Sequence, residues 1–413
     1  MSSSESGRGR VVHVISMHTS PLAQPGHGDA GGMNVYIGQL SRALARAGVG
    51  VEAFTLLTSA PEGSDAARAA HRTVEVSPGY RVHELYLPEA EGAGKEAMAD
   101  LTEAFGRACA GHARRLPPPD VVHAHYWLSG RAAEAYLAAR GGRVPLVSVL
   151  HTSALVKNLG AGPRERPEPE ARVRGEREVI AASAALIVNT EAEAEQMVRL
   201  YGARPERTRV VPPGVDASVF RPGPRRPADG RFRVLFAGRP QPLKGPEILL
   251  RAVALARPEV PGIELEVRGS AGAGYLAELR ELARSLEVDD VVRFYPATTS
   301  ADLAAAFRDA DAVACPSSSE TFGLVALEAQ ACGAVVLGSD VSGLRAALDE
   351  GRSGILVEHR EPEAWARALA AVAADPGRRE RLSAAAIAHA HGLTWDDAAR
   401  RTLAVYAGLL EGR

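Results

Sequence analysis

Short apolar runs alternate with longer stretches of helical periodicity along nearly the whole chain. An apolar run of roughly four to eight residues bounded by turn residues reads as a buried strand. Apolar positions recurring at three- and four-residue spacing read as a helix. One series of strands is expected at 11–16, 51–55, 82–86, 120–124, 145–150, 185–189 and 208–212. A second is expected at 232–237, 263–268, 291–295, 311–315, 334–338 and 353–357. Helices between them include 33–47, 171–182, 191–201, 246–256, 275–286, 322–332 and 362–374. Such alternation builds parallel sheets covered on both faces. Between the two series, 213–230 is rich in Pro, Gly and Arg and reads as a hinge linker. The expected architecture is therefore α/β, with two doubly wound Rossmann-like domains, 11–212 and 231–390, facing across a cleft. A loose tail, 1–10, precedes them. The last segment, 391–413, carries a helix at about 394–411 that could serve either domain, including by packing back on the first. In such sheets ligands bind beyond the carboxyl ends of the strands.

Composition narrows the classes. A chain of 413 residues has ample core for two domains, and its 46% hydrophobic content is that of a globular protein. The net charge of −2 gives no field to attract nucleic acid or an anionic membrane. No apolar run approaches the ~18 residues that span a bilayer. Cys109, Cys315 and Cys332 are odd in number and far apart, which fits a reducing cytoplasm and neither disulfides nor zinc. Of 48 lysines and arginines only Lys95, Lys157 and Lys244 are lysine; each reads either as a place where a compact point charge serves better than a planar fork or as chance survival in an arginine-rich chain.

Two segments carry the chemistry. Gly238-Arg239-Pro240-Gln241-Pro242-Leu243-Lys244 follows the strand 232–237, and two prolines stiffen it so that both cations face one point. Glu320 and Glu328 stand eight apart, one at the start of the helix 322–332 and the other on it, with Phe322, Val325, Ala326 and Ala329 as the buried face and Gly333 at its end. Cations beside a helix N-terminus suit a diphosphate, and separated carboxylates suit sugar hydroxyls. Together they point to a nucleotide-sugar site.

The first half holds a literal G-x-G-x-x-G at Gly26, Gly28 and Gly31. A dinucleotide fingerprint follows its strand directly and has an acid closing the second strand. Here about ten residues intervene and the second strand ends Phe54-Thr55-Leu56, so a nicotinamide site is rejected. The glycines still allow the backbone to approach an anion at the start of helix 33–47. His18, His125 and His151 lie at strand ends facing the cleft, and His151 is best placed for chemistry. His123 and His125 make a weak H-x-H metal signal; strand packing and cleft lining fit them better. Asp309 and Asp311 join a helix to a strand and read as structural.

These segments resemble the retaining GT-B glycosyltransferases of the large family that carries an E-x7-E signature. The likeness runs through nearly the whole chain. The stretches 18–22, 24–26 and 29–36, His125 to Gly130, and Val156-Lys157-Asn158 are similar to the branch of mycothiol biosynthesis that moves N-acetylglucosamine from its UDP donor (UDP-GlcNAc) to 1D-myo-inositol 3-phosphate. The resemblance implies that Arg239 and Lys244 hold the donor diphosphate, Glu328 the ribose and Glu320 the sugar. Gln24, Pro25, Gly32 and Thr298 would also lie against the donor, with Thr298 where relatives often have a basic residue. His18, Asp29, Ala30, Gly31, Gly32, Met33, Asn34, Lys95, Tyr126, Thr152 and Arg172 would bind the acceptor, and His151 matches the active-site histidine. The resemblance further implies a homodimer. No cofactor is required for the chemistry, but a structural Mg2+ is implied around Phe307, Arg308, Ala310 and Ala334, where Ala334 replaces a commoner Thr. The competing expectations are a relative acting on another cyclitol or a thiol, and a non-catalytic sugar-nucleotide-binding module.

Overall fold

The structure is a computed structural model. It describes residues 9–411 except 25, 27–29, 64, 66–67, 95–96, 161–165, 225 and 227–228. Most of the expected tail 1–10 lies outside the described residues, as do Pro25, Asp29 and Lys95.

The first sheet contains β1 (Val11–Ile15), β2 (Gly50–Leu57), β3 (Ala70–Ser77), β4 (Tyr80–Tyr86), β5 (Val121–His125), β6 (Leu146–Val149), β7 (Ala185–Val188) and β8 (Thr208–Val210). Its order is β3-β4-β2-β1-β5-β6-β7-β8, and only the β3–β4 pair is antiparallel. Around it lie α1 (Gly32–Arg46), α2 (Thr102–His112), α3 (Trp127–Ala139), α4 (Ala154–Gly160), α5 (Glu170–Ala182) and α6 (Glu191–Tyr201). The second sheet contains β9 (Phe232–Ala237), β10 (Ile263–Arg268), β11 (Val292–Tyr295), β12 (Ala312–Cys315), β13 (Val335–Ser339) and β14 (Ile355–Val357). Its order is β11-β10-β9-β12-β13-β14, wholly parallel, the doubly wound order of a nucleotide-binding domain. It carries α7 (Pro246–Ala256), α8 (Ala273–Ser285), α9 (Ser300–Asp309), α10 (Leu324–Ala331), α11 (Ser342–Ala347), α12 (Pro362–Ala374) and α13 (Pro376–His391). A last helix, α14 (Trp395–Glu411), closes the chain.

The central strands are buried along their length, as their continuous apolar runs require. Strand β3 was not expected from the pattern. It is an edge strand, largely exposed or half-buried, so His71, Arg72, Thr73 and Glu75 leave no apolar run to read. Helix α10 begins at Leu324 instead of 322, because Gly323 (φ 92°) turns the chain into the left-handed region just before it. Glu320 therefore lies in the loop before the helix and not at its start.

Helix α14 packs on the first sheet. Trp395, Ala398, Ala399 and Tyr406 share a core with Val12, Tyr36, Ile37 and Val149, and Tyr406 Oη lies 2.6 Å from His123 Nδ1. The two segments that pass between the sheets run side by side, bridged at Val215 and Thr394. The expected linker is anchored at its start, since Val215 and Phe220 are buried in the core of the second domain with Phe307.

Candidate active site

The parallel strands of both sheets end toward one cleft. On the second-sheet side, β9 delivers the chain to Gly238 and the half-buried Arg239. A single 3-10 turn, Pro242–Lys244, then aims Lys244 at the loop after β12. There the Lys244 ammonium forms an ion pair with the Glu320 carboxylate, which also accepts from Ser317 Oγ at 3.2 Å. Glu328, one turn into α10, is buried. Burial, and after it the charge of Asp216, push its pKa up to about 8, so the carboxyl is largely protonated at neutral pH.

On the first-sheet side, His18, Tyr126, Thr152 and Arg172 come together although 154 positions of chain separate the outer two. The His18 and Tyr126 rings lie 4.5 Å apart, and the Arg172 guanidinium sits 5.0 Å from the Tyr126 ring centroid. Arg172 Nη2 donates to Thr152 Oγ1 at 2.8 Å and to the Thr152 carbonyl at 3.1 Å. Behind it, the buried Glu176 accepts from Arg172 Nε at 2.7 Å and from the Ala154 amide at 2.9 Å.

The glycine loop reaches across the cleft. Gly26 (φ 88°) would place a Cβ 2.7 Å from that of Ala297, so any side chain there would separate the loop from the second domain. Thr298, half-buried, is the next residue on that side. Gly32 opens α1 opposite Leu324, the first residue of α10. Ala30 is buried and its carbonyl accepts from the Gly26 amide at 2.9 Å. Asn34 is also buried, and its side chain is spent inside the loop: Oδ1 accepts from the Gly31 amide at 2.9 Å while Nδ2 donates to Thr19 and Ser20. What this side chain does is hold the loop at the head of α1, in the manner of a capping-box residue. Gln24 is exposed and Met33 half-buried.

Between the two clusters stands His151. It and Tyr126 follow neighbouring strands, and both adopt a left-handed backbone (φ 61° and 79°) that costs a non-glycine residue of order 1 kcal/mol. Strain of this kind gathers at functional sites, and residue types alone do not announce it. His151 Nε2 lies 2.9 Å from His125 Nδ1, so one ring donates and the other accepts, and the proton on His125 sets the tautomer of His151. Tyr36 packs edge-on against His151 at 4.9 Å. His125 is thus buried behind His151 and is not a cleft-lining residue; the H-x-H alternation was the signal for it. Burial and the neighbouring His123 and His18 lower the His151 pKa to about 3, so the ring is neutral throughout the physiological range. Thr321 Oγ1 donates to the His151 carbonyl, tying the E-x7-E segment of the second domain to the first.

Among the described residues, no group of three or more His, Cys, Asp or Glu could hold a metal ion. Phe307, Arg308, Ala310 and Ala334 do gather at the end of α9 and the start of β13, but they offer backbone carbonyls only. Ala334 lacks the hydroxyl that a Thr would supply, and the Arg308 guanidinium already places positive charge beside the Arg221 carbonyl, 3.5 Å away. Backbone carbonyls are hard oxygen donors of the kind Mg2+ takes, but no side-chain carboxylate or hydroxyl of these four residues adds to them. Asp309 and Asp311 are structural, accepting from the backbone amides of Arg226 and Arg233.

Residues 31–214 match the family model described as glycosyl transferase 4-like domain, and residues 222–389 that of glycosyl transferases group 1. A D-inositol 3-phosphate glycosyltransferase of Actinosynnema mirum is 45% identical over 411 residues, covering 96% of each chain. One from Streptomyces bingchenggensis is 44% identical over 98% of this chain and 90% of its own. The chain belongs to the family of the D-inositol 3-phosphate glycosyltransferases. It is a glycosyltransferase with the GT-B fold. Among solved structures, sucrose-phosphate synthase from Thermosynechococcus elongatus superposes with a TM-score of 0.86 at 27% identity, over 98% of this chain and all of its own. HepE from Anabaena, solved with UDP and glucose, gives 0.71 at 18% identity over 97% of this chain and all of its own, a likeness of fold alone. The family assignment agrees with the cleft, in which an ion-paired lysine and a polar cluster around a neutral histidine face each other.

Proposed function

We propose that this glycosyltransferase moves N-acetylglucosamine from UDP-N-acetylglucosamine to 1D-myo-inositol 3-phosphate with retention of the α configuration. The observation that carries the reading is the convergence on His151 of two clusters: Lys244 with Glu320 from the second domain, and Arg172, Thr152, Tyr126 and His18 from the first. The first suits a sugar diphosphate, and the second suits a phosphorylated polyol. The names of the curated relatives support the acceptor.

In this reading Arg239 and Lys244 take up the negative charge that develops on the diphosphate as the glycosidic bond breaks. Glu320 shares Lys244 with the donor and holds sugar hydroxyls, while Glu328 holds the ribose. The acceptor hydroxyl attacks on the face the diphosphate leaves, and the departing phosphate takes its proton. His151, neutral and fixed by His125, orients the reacting sugar and is not the general base. Arg172, Tyr126, Thr152 and His18, with Lys95 on sequence grounds, receive the inositol phosphate. A cytoplasmic location belongs to the same reading, supported by three buried free cysteines. A homodimer rests on family resemblance alone.

The test is the product. Incubation with UDP-N-acetylglucosamine and 1D-myo-inositol 3-phosphate should give one N-acetylglucosaminyl-inositol phosphate with an α-anomeric proton coupling by NMR. A β-linked product, or preferential use of UDP-glucose when both donors compete, would overturn it.

A further inference from the structure

Arg172 has one partner that can leave. Its Nε is committed to Glu176, which is wholly buried and locked by the Ala154 amide and the Tyr201 hydroxyl. Its Nη2 is committed to Thr152. Nη1 instead meets Glu168 Oε2 at 2.7 Å, and the other oxygen of that carboxylate, Oε1, meets Lys157 Nζ at 2.8 Å. One carboxylate thus bridges two cations. The side chains of Glu168 and Lys157 are about a quarter exposed (24% and 25%), whereas that of Arg172 is 4% exposed, so Glu168 covers the one open edge of the guanidinium.

The backbone of Glu168 is held separately. Its amide donates to Asn158 Oδ1 at 2.7 Å, and its carbonyl accepts from Asn158 Nδ2 at 3.4 Å. The carboxylate can therefore swing away by side-chain rotation while the chain stays in place, a motion far faster than turnover. Burial alone would raise the Glu168 pKa; Arg172 and Lys157 outweigh it and keep the group ionised.

Two oxygens of a phosphate monoester span nearly the width of a carboxylate, carry more charge, and make stronger charge-assisted bonds to Arg and Lys. We propose that Glu168 is an internal stand-in for the acceptor's phosphate: it fills the Arg172–Lys157 clamp in the unliganded protein and rotates out when a phosphate dianion arrives. Lys157 is then a second phosphate ligand, and Glu168 a specificity residue, since a neutral acceptor brings nothing to displace it. The inference rests on the acceptor reading above and deepens it.

The test uses the full-length enzyme with Glu168→Gln, which is nearly isosteric, and Lys157→Gln, which removes the ammonium. Inorganic phosphate binding is followed by 31P line broadening, and acceptor and donor KM by UDP release. Glu168→Gln removes an ion-pair competitor and should tighten phosphate and lower the acceptor KM roughly fivefold. Lys157→Gln should weaken both about tenfold. The donor KM should stay unchanged in each variant, which a general loss of structure would not leave so. Phosphate affinity unmoved by either substitution, or weakened by Glu168→Gln, overturns the clamp. The phosphate titration does not depend on the acceptor's identity. An enzyme that shows both shifts but does not turn over inositol 3-phosphate keeps the clamp and rejects the acceptor; normal turnover with unmoved phosphate affinities does the reverse.

Discussion

Lys244 and Glu320, 76 residues apart in sequence, form an ion pair at the carboxyl end of the second sheet. The donor diphosphate would have to share that lysine. Replacing Lys244 by Ala removes the cation from the leaving group and leaves Glu320 without its partner. Turnover should fall by about 10^2–10^3, the cost of losing one preorganised charge donor, whichever acceptor is offered. Arg239→Ala should behave alike. Steady-state UDP release checks this; a Lys244→Ala enzyme within tenfold of wild type would remove the diphosphate assignment.

Glu328 gives donor binding a pH dependence. Its carboxyl is held up to about 8 by burial first and by Asp216 second, so it ionises only as the pH rises through that value. In the proposed reading it would, as a carboxylate, accept hydrogen bonds from both ribose hydroxyls. UDP affinity, measured by calorimetry, should therefore improve between pH 7 and 9. Glu328→Gln should flatten the profile and weaken binding about tenfold at the upper end. The same slope in the variant would clear Glu328 of the role.

His125 acts through His151. In His125→Phe an aromatic ring remains but the 2.9 Å hydrogen bond is lost, and its hold on the tautomer of His151 goes with it. The expected result is a fall in kcat of about ten- to a hundredfold with the donor KM unchanged. Loss of donor binding, or no change in kcat, contradicts a positioning role.

Both doubly wound sheets were legible because their central strands are buried on two faces and read as apolar runs. Strand β3 was not, because an edge strand with one wet face carries His71, Arg72 and Glu75 where the pattern needs apolar residues. The segments with Lys244, Glu320 and His151 stood out through residue type near strand ends, whereas Arg172, on α5, was named only through the family resemblance. The partners of those residues were not legible. Glu168 and Glu176 sit on Arg172 through the helical spacing of α5 and the fold of the loop before it, and Thr321 reaches the His151 carbonyl only because two domains meet. Asn34 shows the converse: a residue singled out by a motif whose side chain is absorbed in holding the loop.

Buried neutral histidines should make the fold acid-sensitive. Burial lowers His13 to about 4 and His123 to about 3, while in the unfolded chain each takes a proton near 6.5. Below pH 6.5 the unfolded state binds protons that the native state refuses, so stability is complete above that pH and falls as pH drops. Each such residue contributes up to about 1.4 kcal/mol per pH unit. Urea denaturation at pH 7.5 and 5.0 measures the drop. His123→Phe loses the Tyr406 bond at both pH values, but its drop should be smaller by about 2 kcal/mol. An equal drop would mean that His123 does not stay neutral in the fold.

The most direct measurement is initial UDP release from UDP-N-acetylglucosamine with three additions: 1D-myo-inositol 3-phosphate, myo-inositol, or buffer. The account predicts rapid release with the phosphate and only background with the other two. Equal release with myo-inositol would contradict it, because Arg172 and the residues around it would then have no phosphate to hold.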